Sequence, residues 1–409
     1  MTRNNLLIYF LLLLTMWSCG GGSSSENDLQ ERVQKAVAQF QAQCSGLEQA
    51  IVPGAVAAVV DVSHPPVVVS SGTANLDTGR EMLESDLFHA GSITKTFTAA
   101  WIMQLDQEGL LSIDDVVADY LSFPRGDEIT LRQLLAHTSG ITSFTSMQEF
   151  TVWYEENPYP TPFEVLKFMK QHPYQSFDPG HEYEYSNSNY YLLGLIGELV
   201  TGKPWHEEIR NRFLDPYQLS STYIYGLEQG PASQVQGYAA CPEPSCEPAG
   251  FMTTGDDSAY RLAWAAGGVV STPVDLAKWM EALVAGPVLD EIRRREMQTI
   301  TPQSAAVMKA RGEYFNFNKG VGLCLFQFYT PEAGFGWGHE GQIGGFGNMA
   351  AYFPDLETGL ALSANEVSSD VNTGLQLLVD ALVSGCCGSP CSIGELPEGC
   401  RSVRFARSF

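Results

Sequence analysis

The chain has 409 residues, of which 44% are hydrophobic, so it can bury a core of the size found in one large domain or two modest ones. Its formal net charge is −24 at pH 7, and it contains only 23 Lys and Arg residues. Nucleic-acid binding requires a basic face, which this balance excludes. The composition therefore predicts a folded, acidic protein with no nucleic-acid partner.

The first residues have the pattern of an export signal. One Arg precedes an apolar run from Leu6 to Leu14, and small residues follow around Cys19. Residues 1–18 resemble a bacterial lipoprotein signal, after which Cys19 becomes the first mature residue and carries the lipid; cleavage as an ordinary secreted protein is the alternative. The Gly/Ser stretch predicts a tether over residues 19–28. The predicted location is the cell envelope, with a lipid anchor to a bacterial membrane and the domain facing the periplasm or the exterior.

The other cysteines predict disulfide bonds, because eight of the nine remain after Cys19 and the chain is expected to be exported. Cys241 and Cys246 lie on a Pro-rich loop and are expected to pair with each other. Four more cysteines lie in a Cys-rich tail over residues 386–409. A zinc site in that tail is the alternative, but the spacing lacks paired C-x-x-C units, so no metal site is predicted. Cys324 is expected to be buried in a strand.

The first predicted elements are a helix and two strands. Residues 28–44 have a helical period, and residues 54–62 and 65–76 read as strands joined by a Pro-containing turn. Helical patterns and loops rich in Pro and Gly then dominate over residues 92–283. This long middle stretch predicts an inserted helical subdomain.

Strand patterns return in the last quarter of the chain, at residues 317–329, 344–354 and 359–365, and a helix is predicted at residues 371–383. Strands at both ends with helices between them predict an α+β fold. We expect an α/β sandwich in which one antiparallel sheet is flanked by N- and C-terminal helices and carries the helical subdomain. A single domain is predicted over residues 29–385.

Ser92 and Lys95 lie three residues apart at the start of a predicted amphipathic helix, so they share one face beside the core. In one interpretation, Ser92 caps the helix and Lys95 is a surface cation. In the other, Ser92 is a nucleophile and Lys95 is the base that activates it, because a serine hydroxyl is a poor nucleophile at neutral pH. The pair alone does not decide between the two.

Three short motifs occur together along the chain: SITK at residues 92–95, YSN at 185–187 and HEG at 339–341. Their order and spacing resemble those of the penicillin-recognising serine hydrolases, and most of all the branch with class C β-lactamases, D-alanyl-D-alanine carboxypeptidases and related esterases. The stretches LRQLLAHTSGI and AAGGVVSTPVDLAKWM are also similar to that family. The resemblance covers residues 40–384 and implies a β-lactamase/transpeptidase-like fold with no cofactor.

The resemblance implies a role for each residue of the first two motifs. Ser92 forms the acyl-enzyme, and Lys95 serves as a base. Tyr185 relays a proton to the leaving group, and whether Lys95 or Tyr185 is the first base stays open. Asn187 holds the side-chain carbonyl of the substrate.

The third motif is assigned to substrate binding through His339, Gly341 and the residue that follows. The backbone N–H groups of Ser92 and Gln342 are expected to bind the oxyanion. Most relatives have Lys-Thr-Gly here, whereas this chain has a histidine and the carboxylate of Glu340. If His339 binds a substrate carboxylate, affinity should weaken as the pH rises through a pKa of about 6.5, or a higher pKa beside Glu340.

The predicted function is that of an exported serine hydrolase that acts on D-alanyl-D-alanine-type peptides, as a D,D-carboxypeptidase does. An esterase and a β-lactamase of the same family are the alternatives among enzymes. From another class, a non-catalytic protein that binds penicillins or cell-wall fragments is the alternative, although a pure binder needs no general base. Small peptides, amides or esters are the expected partners, and the oligomeric state is left open. His137 and His181 are expected to be structural.

Overall fold

The computed structural model describes residues 22–43, 52–231, 235–240, 251–253, 257–311 and 317–384. Within these ranges no helix combines the length and the apolar character needed to cross a membrane. The predicted signal and its Cys19, the pair Cys241 and Cys246, and the tail over residues 386–409 lie outside the described residues. What the sequence predicts for them stays a prediction.

The described strands belong to three sheets. In chain order they are β1 (Gly54–Asp61), β2 (Val67–Asn75), β3 (Arg80–Glu81), β4 (Phe88–His89), β5 (Tyr223–Ile224), β6 (Tyr238–Ala240), β7 (Phe251–Thr253), β8 (Val269–Ser271), β9 (Asn318–Val321), β10 (Phe326–Thr330), β11 (Gly334–Ile343), β12 (Phe346–Phe353) and β13 (Thr358–Ala364). The described helices are α1 (Gly22–Gln43), α2 (Thr94–Gln107), α3 (Leu131–Leu135), α4 (Gln148–Glu156), α5 (Pro162–Gln171), α6 (Asn187–Thr201), α7 (Trp205–Ile209), α8 (Asp257–Gly267), α9 (Pro273–Val284), α10 (Glu291–Met297), α11 (Pro302–Ala310) and α12 (Val371–Val383).

The main sheet has eight strands in the order β3-β2-β1-β13-β12-β11-β10-β9, and neighbouring strands are antiparallel. Strands from the two ends of the chain meet at its centre, where β1 pairs with β13 from Ala55 opposite Ala364 to Asp61 opposite Thr358. The predicted α+β fold, with one antiparallel sheet built from distant segments, is confirmed.

Helices α1 and α12 pack together on one face of the sheet, as predicted for the N- and C-terminal helices. Val33, Phe40 and Leu375 are fully buried in this layer. Helix α1 begins at Gly22, inside the segment predicted as a tether, so the prediction of a tether that extends to residue 28 is wrong. Once a helix is nucleated by packing, each further residue adds a backbone hydrogen bond at little cost, which extends α1 toward the N-terminus.

Helix α2 runs through the middle of the helical layer on the opposite face of the sheet and contacts α6 and α8. Every residue from Thr94 to Met103 is buried. The helix predicted after Ser92 is present, but the prediction that it is amphipathic is wrong, because neighbouring helices cover the side that the pattern assigned to solvent. Any side chain in the first turn of α2 is consequently held away from bulk water.

The segment 317–329 forms two strands rather than one. β9 and β10 are separated by a turn in which Cys324 has a φ of 82°. Cys324 is buried, as predicted, but it lies in this turn and not in a strand. The turn brings its thiol into the helical layer close to α2.

Candidate active site

Ser92 lies in a 3-10 turn, Gly91–Ile93, directly before α2. Gly91 has a φ of 55°, a left-handed conformation that favours glycine. A Cβ atom at Gly91 would lie 2.9 Å from the backbone N of Gln342, so glycine also permits the close approach of β11. The half-buried Ser92 makes no capping hydrogen bond at the start of α2. The interpretation of Ser92 as a helix cap therefore fails.

Lys95 is joined to Ser92 by a direct hydrogen bond. Its Nζ donates to Ser92 Oγ at 2.9 Å and to the Ala266 carbonyl oxygen at 2.7 Å. The side chain is 0% exposed, and burial lowers its pKa to about 7 because the ammonium has lost its water. Near pH 7 about half of the molecules therefore carry a neutral amine that can accept a proton. The interpretation of Lys95 as a surface cation is wrong.

The ring of Tyr185 lies close to the Lys95 amine. Lys95 Nζ is 5.0 Å from the centre of the Tyr185 ring. The buried Tyr185 hydroxyl faces Ser92 but forms no hydrogen bond of normal length and angle. Burial raises the pKa of Tyr185 well above 10, so the hydroxyl is protonated in the free protein. This favours Lys95 as the first base and Tyr185 as a proton donor.

His137 supports Tyr185 from behind, a contact that the sequence analysis missed. The two rings stack with centroids 4.4 Å apart, and the His137 Nδ1 accepts a hydrogen bond from the Ser186 backbone N–H at 3.1 Å. Burial lowers the pKa of His137 well below 6.5, so it adds no charge to the site. The expected bond to loop backbone is thus present at His137. His181 is exposed, and its backbone N–H donates to the Asp178 carbonyl oxygen at 3.1 Å.

Asn187 is the first residue of α6, and two hydroxyl groups fix its position. Its Nδ2 donates to Thr145 Oγ1 at 2.9 Å, and its backbone N–H donates to Ser143 Oγ at 3.1 Å. The sequence analysis did not single out Ser143 or Thr145, because isolated hydroxyl residues carry no motif. No hydrogen bond joins Asn187 to Ser92 in the described structure, so its predicted role in holding the substrate carbonyl stays a prediction.

Gly341 lets the backbone of β11 approach the nucleophile. A Cβ atom there would lie 2.0 Å from the Ala90 carbonyl oxygen and 3.2 Å from the Ser92 backbone N. No side chain larger than hydrogen fits between the strand and the start of α2. The backbone N–H groups of Ser92 and Gln342 are therefore brought to neighbouring positions.

The pairing of β11 leaves the Gln342 N–H available. Ile343 and Phe346 close a two-residue turn, so they form a hydrogen-bonded pair, and bonded pairs alternate with non-bonded ones along the hairpin. The Gln342 N–H accordingly points away from β12. On its other side β11 pairs with β10 only as far as Gly338, so residues 339–343 have no neighbour there among the described strands. This geometry suits the predicted oxyanion donor.

His339 is neutral in this site, which corrects the expected pKa of 6.5 or higher. The ring is 1% exposed, and burial together with the nearby Lys95 charge lowers its pKa to about 3. Its Nδ1 donates to the Glu340 backbone carbonyl, and its buried Nε2 has no hydrogen-bond partner within the described part of the chain. The charge that acts on the His339 ring is that of the Lys95 amine. His339 supplies no positive charge for a substrate carboxylate.

The Cys324 thiol lies close to the catalytic candidates without contributing a charge. It is free and buried, and burial raises its pKa to about 12. It interacts with the Tyr190 hydroxyl and with Lys95. Within the described part of the chain, no three His, Cys, Asp or Glu side chains are placed together as a metal site.

A cavity of about 490 Å³ lies beside the turn between β11 and β12. His89 and Tyr260 stack in its wall with ring centroids 3.6 Å apart, and the Tyr260 hydroxyl donates to the Gly344 carbonyl at 2.7 Å. Burial lowers the pKa of His89 to about 4, so this ring is also neutral. Ser92 and Lys95 are not among the residues that line this cavity.

An antiparallel sheet with helices on both faces, and a serine–lysine pair at the start of a buried helix, define the β-lactamase/transpeptidase-like class of serine hydrolases. The sequence profile of the family described as Beta-lactamase matches residues 33–383. The chain belongs to this beta-lactamase family.

Relatives and solved structures agree with this assignment. The chain is 26% identical over 277 residues to a protein of Bacillus subtilis (strain 168) named as penicillin-binding protein PbpX, and the match covers 66% of either protein, just under two thirds of that relative's length. A D-stereospecific amidohydrolase from Streptomyces sp. has a TM-score of 0.68 at 29% identity, with 89% of this chain and 99% of that chain covered. The D-amino acid amidase of Ochrobactrum anthropi SV3, crystallised with L-phenylalanine amide, has a TM-score of 0.73 at 25% identity over 88% of this chain and 100% of that chain.

Proposed function

We propose that this protein is an exported serine hydrolase that cleaves amides and peptides of D-amino acids, D-alanyl-D-alanine-type peptides included, through an acyl-enzyme at Ser92. The observation that carries the proposal is the 2.9 Å hydrogen bond between Ser92 Oγ and the fully buried Lys95 Nζ. An amine with a pKa of about 7 is matched to the removal of a hydroxyl proton near neutral pH. The names of the solved neighbours support D-amino acid amides as substrates.

The arrangement supports a two-step reaction. The neutral Lys95 amine takes the proton of Ser92, and Oγ attacks the substrate carbonyl carbon. The negative charge on the carbonyl oxygen is held by the N–H groups of Ser92 and Gln342. Tyr185 gives its proton to the departing amine and regains one from Lys95, which restores both groups. Water then attacks the ester, and the same residues transfer protons in the reverse direction.

An esterase is the second candidate, and the neutral His339 favours it. A D,D-carboxypeptidase binds a free C-terminal carboxylate, whereas an ester or a simple amide requires no positive charge beside the nucleophile. His339 has a pKa of about 3 and cannot provide that charge at neutral pH. Neutral substrates are thus expected to be hydrolysed at least as well as carboxylate substrates.

A panel of substrates tests the proposal. We would measure kcat/KM for a D-amino acid p-nitroanilide, its L-enantiomer, a D-Ala-D-Ala tripeptide, a p-nitrophenyl ester and nitrocefin, each with wild type and Ser92→Ala. The proposal predicts turnover of the D-anilide above that of its enantiomer and loss of all turnover in Ser92→Ala. Turnover of esters alone would make the protein an esterase. Stable labelling by a penicillin without turnover of any substrate would favour the non-catalytic binder.

A further inference from the structure

We propose that Glu340 is a specificity-determining residue that binds a positively charged group of the substrate and disfavours a carboxylate at the same place. The inference rests on the proposed function, since it assumes that the substrate is acylated at Ser92. Glu340 is half-buried on β11, between His339 and Gly341. Its carboxylate occupies the middle of the third motif, next to residues that contact the start of α2.

Strand β11 brings Glu340 close to the residues that surround Ser92. Glu340 precedes Gly341, where an added Cβ atom would lie 3.2 Å from the Ser92 backbone N, so this part of β11 lies against the nucleophile. The Gln342 N–H is the predicted oxyanion donor. The charge of Glu340 also acts on Tyr183 and Tyr185, and Tyr185 is the predicted donor to the leaving group. The carboxylate therefore lies near Tyr185 and near the part of β11 that faces Ser92.

One amide and one arginine act on the Glu340 carboxylate among the described residues. Asn372 Nδ2 donates to Glu340 Oε2 at 3.3 Å. Burial raises the pKa of Glu340 and the nearby Asp370 adds to that effect, while Asn372 and Arg311 oppose it. Asp370 and Asn372 at the start of α12, and Arg311 after α11, thus act on this carboxylate. Such a carboxylate gains more from an incoming cation than a fully solvated one does.

The residues around Ser92 offer little positive charge to a substrate carboxylate, and the Arg311 charge already acts on Glu340. His339 is neutral. Lys95 is buried, is hydrogen-bonded to Ser92 and serves as the base of the proposed reaction. A substrate carboxylate near Glu340 would meet a like charge, whereas an ammonium would gain a charge-assisted hydrogen bond. Bonds of that kind correspond to a preference of about 10- to 100-fold.

Matched substrates test the proposal and show where the charge lies on the substrate. One pair is D-phenylalanine p-nitroanilide and its N-acetyl form, which differ in an ammonium on the acyl side. The second pair is the ethylenediamine and propylamine amides of N-acetyl-D-alanine, which differ in an ammonium on the leaving-group side. The β-alanine amide places a carboxylate there. We expect wild type to prefer the charged member of at least one pair by about 10-fold or more, and Glu340→Gln to reduce that ratio toward one.

Two further variants make the result specific. Glu332→Gln removes the same charge from an exposed position before β11 and should leave every ratio unchanged. Glu340→Lys should shift the preference toward the β-alanine amide. Ratios that are equal in wild type and Glu340→Gln for both pairs would overturn the inference. If wild type hydrolyses none of these substrates and Ser92 is not labelled by a fluorophosphonate, the proposed function itself fails.

Discussion

Lys95 is the residue whose environment decides what this site can do. An ammonium in water has a pKa near 10.5 and would be a poor base at neutral pH, whereas the buried amine has a pKa of about 7. The same burial lowers the pKa of His339 to about 3, because that ring lies near Lys95 in the same water-poor space. The sequence could indicate the pair Ser92 and Lys95, but it could not indicate the pKa of His339. That value depends on which side chains surround the ring.

The pH dependence of acylation should follow Lys95 alone in the neutral range. Only the neutral amine accepts the Ser92 proton, so the rate of fluorophosphonate labelling should rise with pH through a midpoint near 7. His339→Gln should keep that midpoint, because the histidine is already neutral from pH 5.5 to 8.5. Labelling rates across this range, for both proteins, are the measurement. A second transition near pH 6.5 that disappears in His339→Gln would contradict the assignment.

Burial of Lys95 should also be visible in stability. Between pH 7 and 10.5 the unfolded chain keeps the lysine proton while the folded protein releases it, so the free energy of unfolding should rise with pH in this window. From pH 7 to 9 the contribution of Lys95 is on the order of 2 kcal/mol. Lys95→Met should lack it. Urea unfolding of both proteins at pH 7 and pH 9 gives the difference, and parallel changes in the two would refute the prediction.

At the scale of elements, the approach of β11 to the start of α2 builds the site. Gly341 and Gly91 remove the side chains that would separate the strand from the nucleophile. The segment 339–343 lies beyond the end of β10, so no described strand pairs with it on that side. The site therefore depends on where one strand ends as much as on which residues it contains.

Gly341→Ala should impair the reaction more than the fold. The new methyl group would overlap the Ala90 carbonyl at 2.0 Å and push β11 away from Ser92, which should slow acylation by about 100-fold, the usual cost of a lost oxyanion donor. Gly359→Ala is the control. Gly359 lies in β13, away from the site, and its new methyl group would lie 2.5 Å from the Ala277 carbonyl oxygen. We would compare labelling rates and urea midpoints. Equal slowing in both variants would show that general destabilisation, not the displaced strand, is responsible.

Elements with strong periodicity could be predicted, and those that depend on tertiary contacts could not. β1, β2, β12, β13 and α12 lie where the apolar patterns place them, because one or both of their faces are buried. β11 was not predicted as a strand: glycines at 336, 338 and 341 lower its intrinsic preference, and the hairpin with β12 overrides that preference. The turn at Cys324, which divides the predicted strand into β9 and β10, was likewise not predicted, since nothing in the local sequence indicates its φ of 82°.

For the whole molecule, the described N-terminal helix and the catalytic layer lie on different faces of the sheet. Helices α1 and α12 cover the face of the sheet opposite to α2, so the described N-terminal helix does not contact Ser92. We propose that Cys19 carries a lipid and that the domain lies at the cell envelope. The acidic charge of −24 would then keep the domain away from an anionic membrane surface.

Cys19→Ala tests the proposed anchor without touching the site. The variant should move from the membrane fraction to the soluble fraction, because a lipid chain is the expected source of attachment. Its kcat/KM should stay at the wild-type value. Fractionation and assay of cells that express either protein are sufficient. A variant that stays in the membrane fraction would show that attachment does not depend on Cys19.

The central claim is that Ser92 becomes acylated with Lys95 as its base. Intact-mass and peptide mass spectrometry after rapid quenching of the protein with a slowly deacylated D-amino acid ester or a penicillin tests it most directly. The account predicts one acyl group per chain, located on Ser92, absent in Ser92→Ala and formed at least about 100-fold more slowly in Lys95→Met. An adduct on any other residue, or formation of the Ser92 adduct at an unchanged rate in folded Lys95→Met, would contradict it.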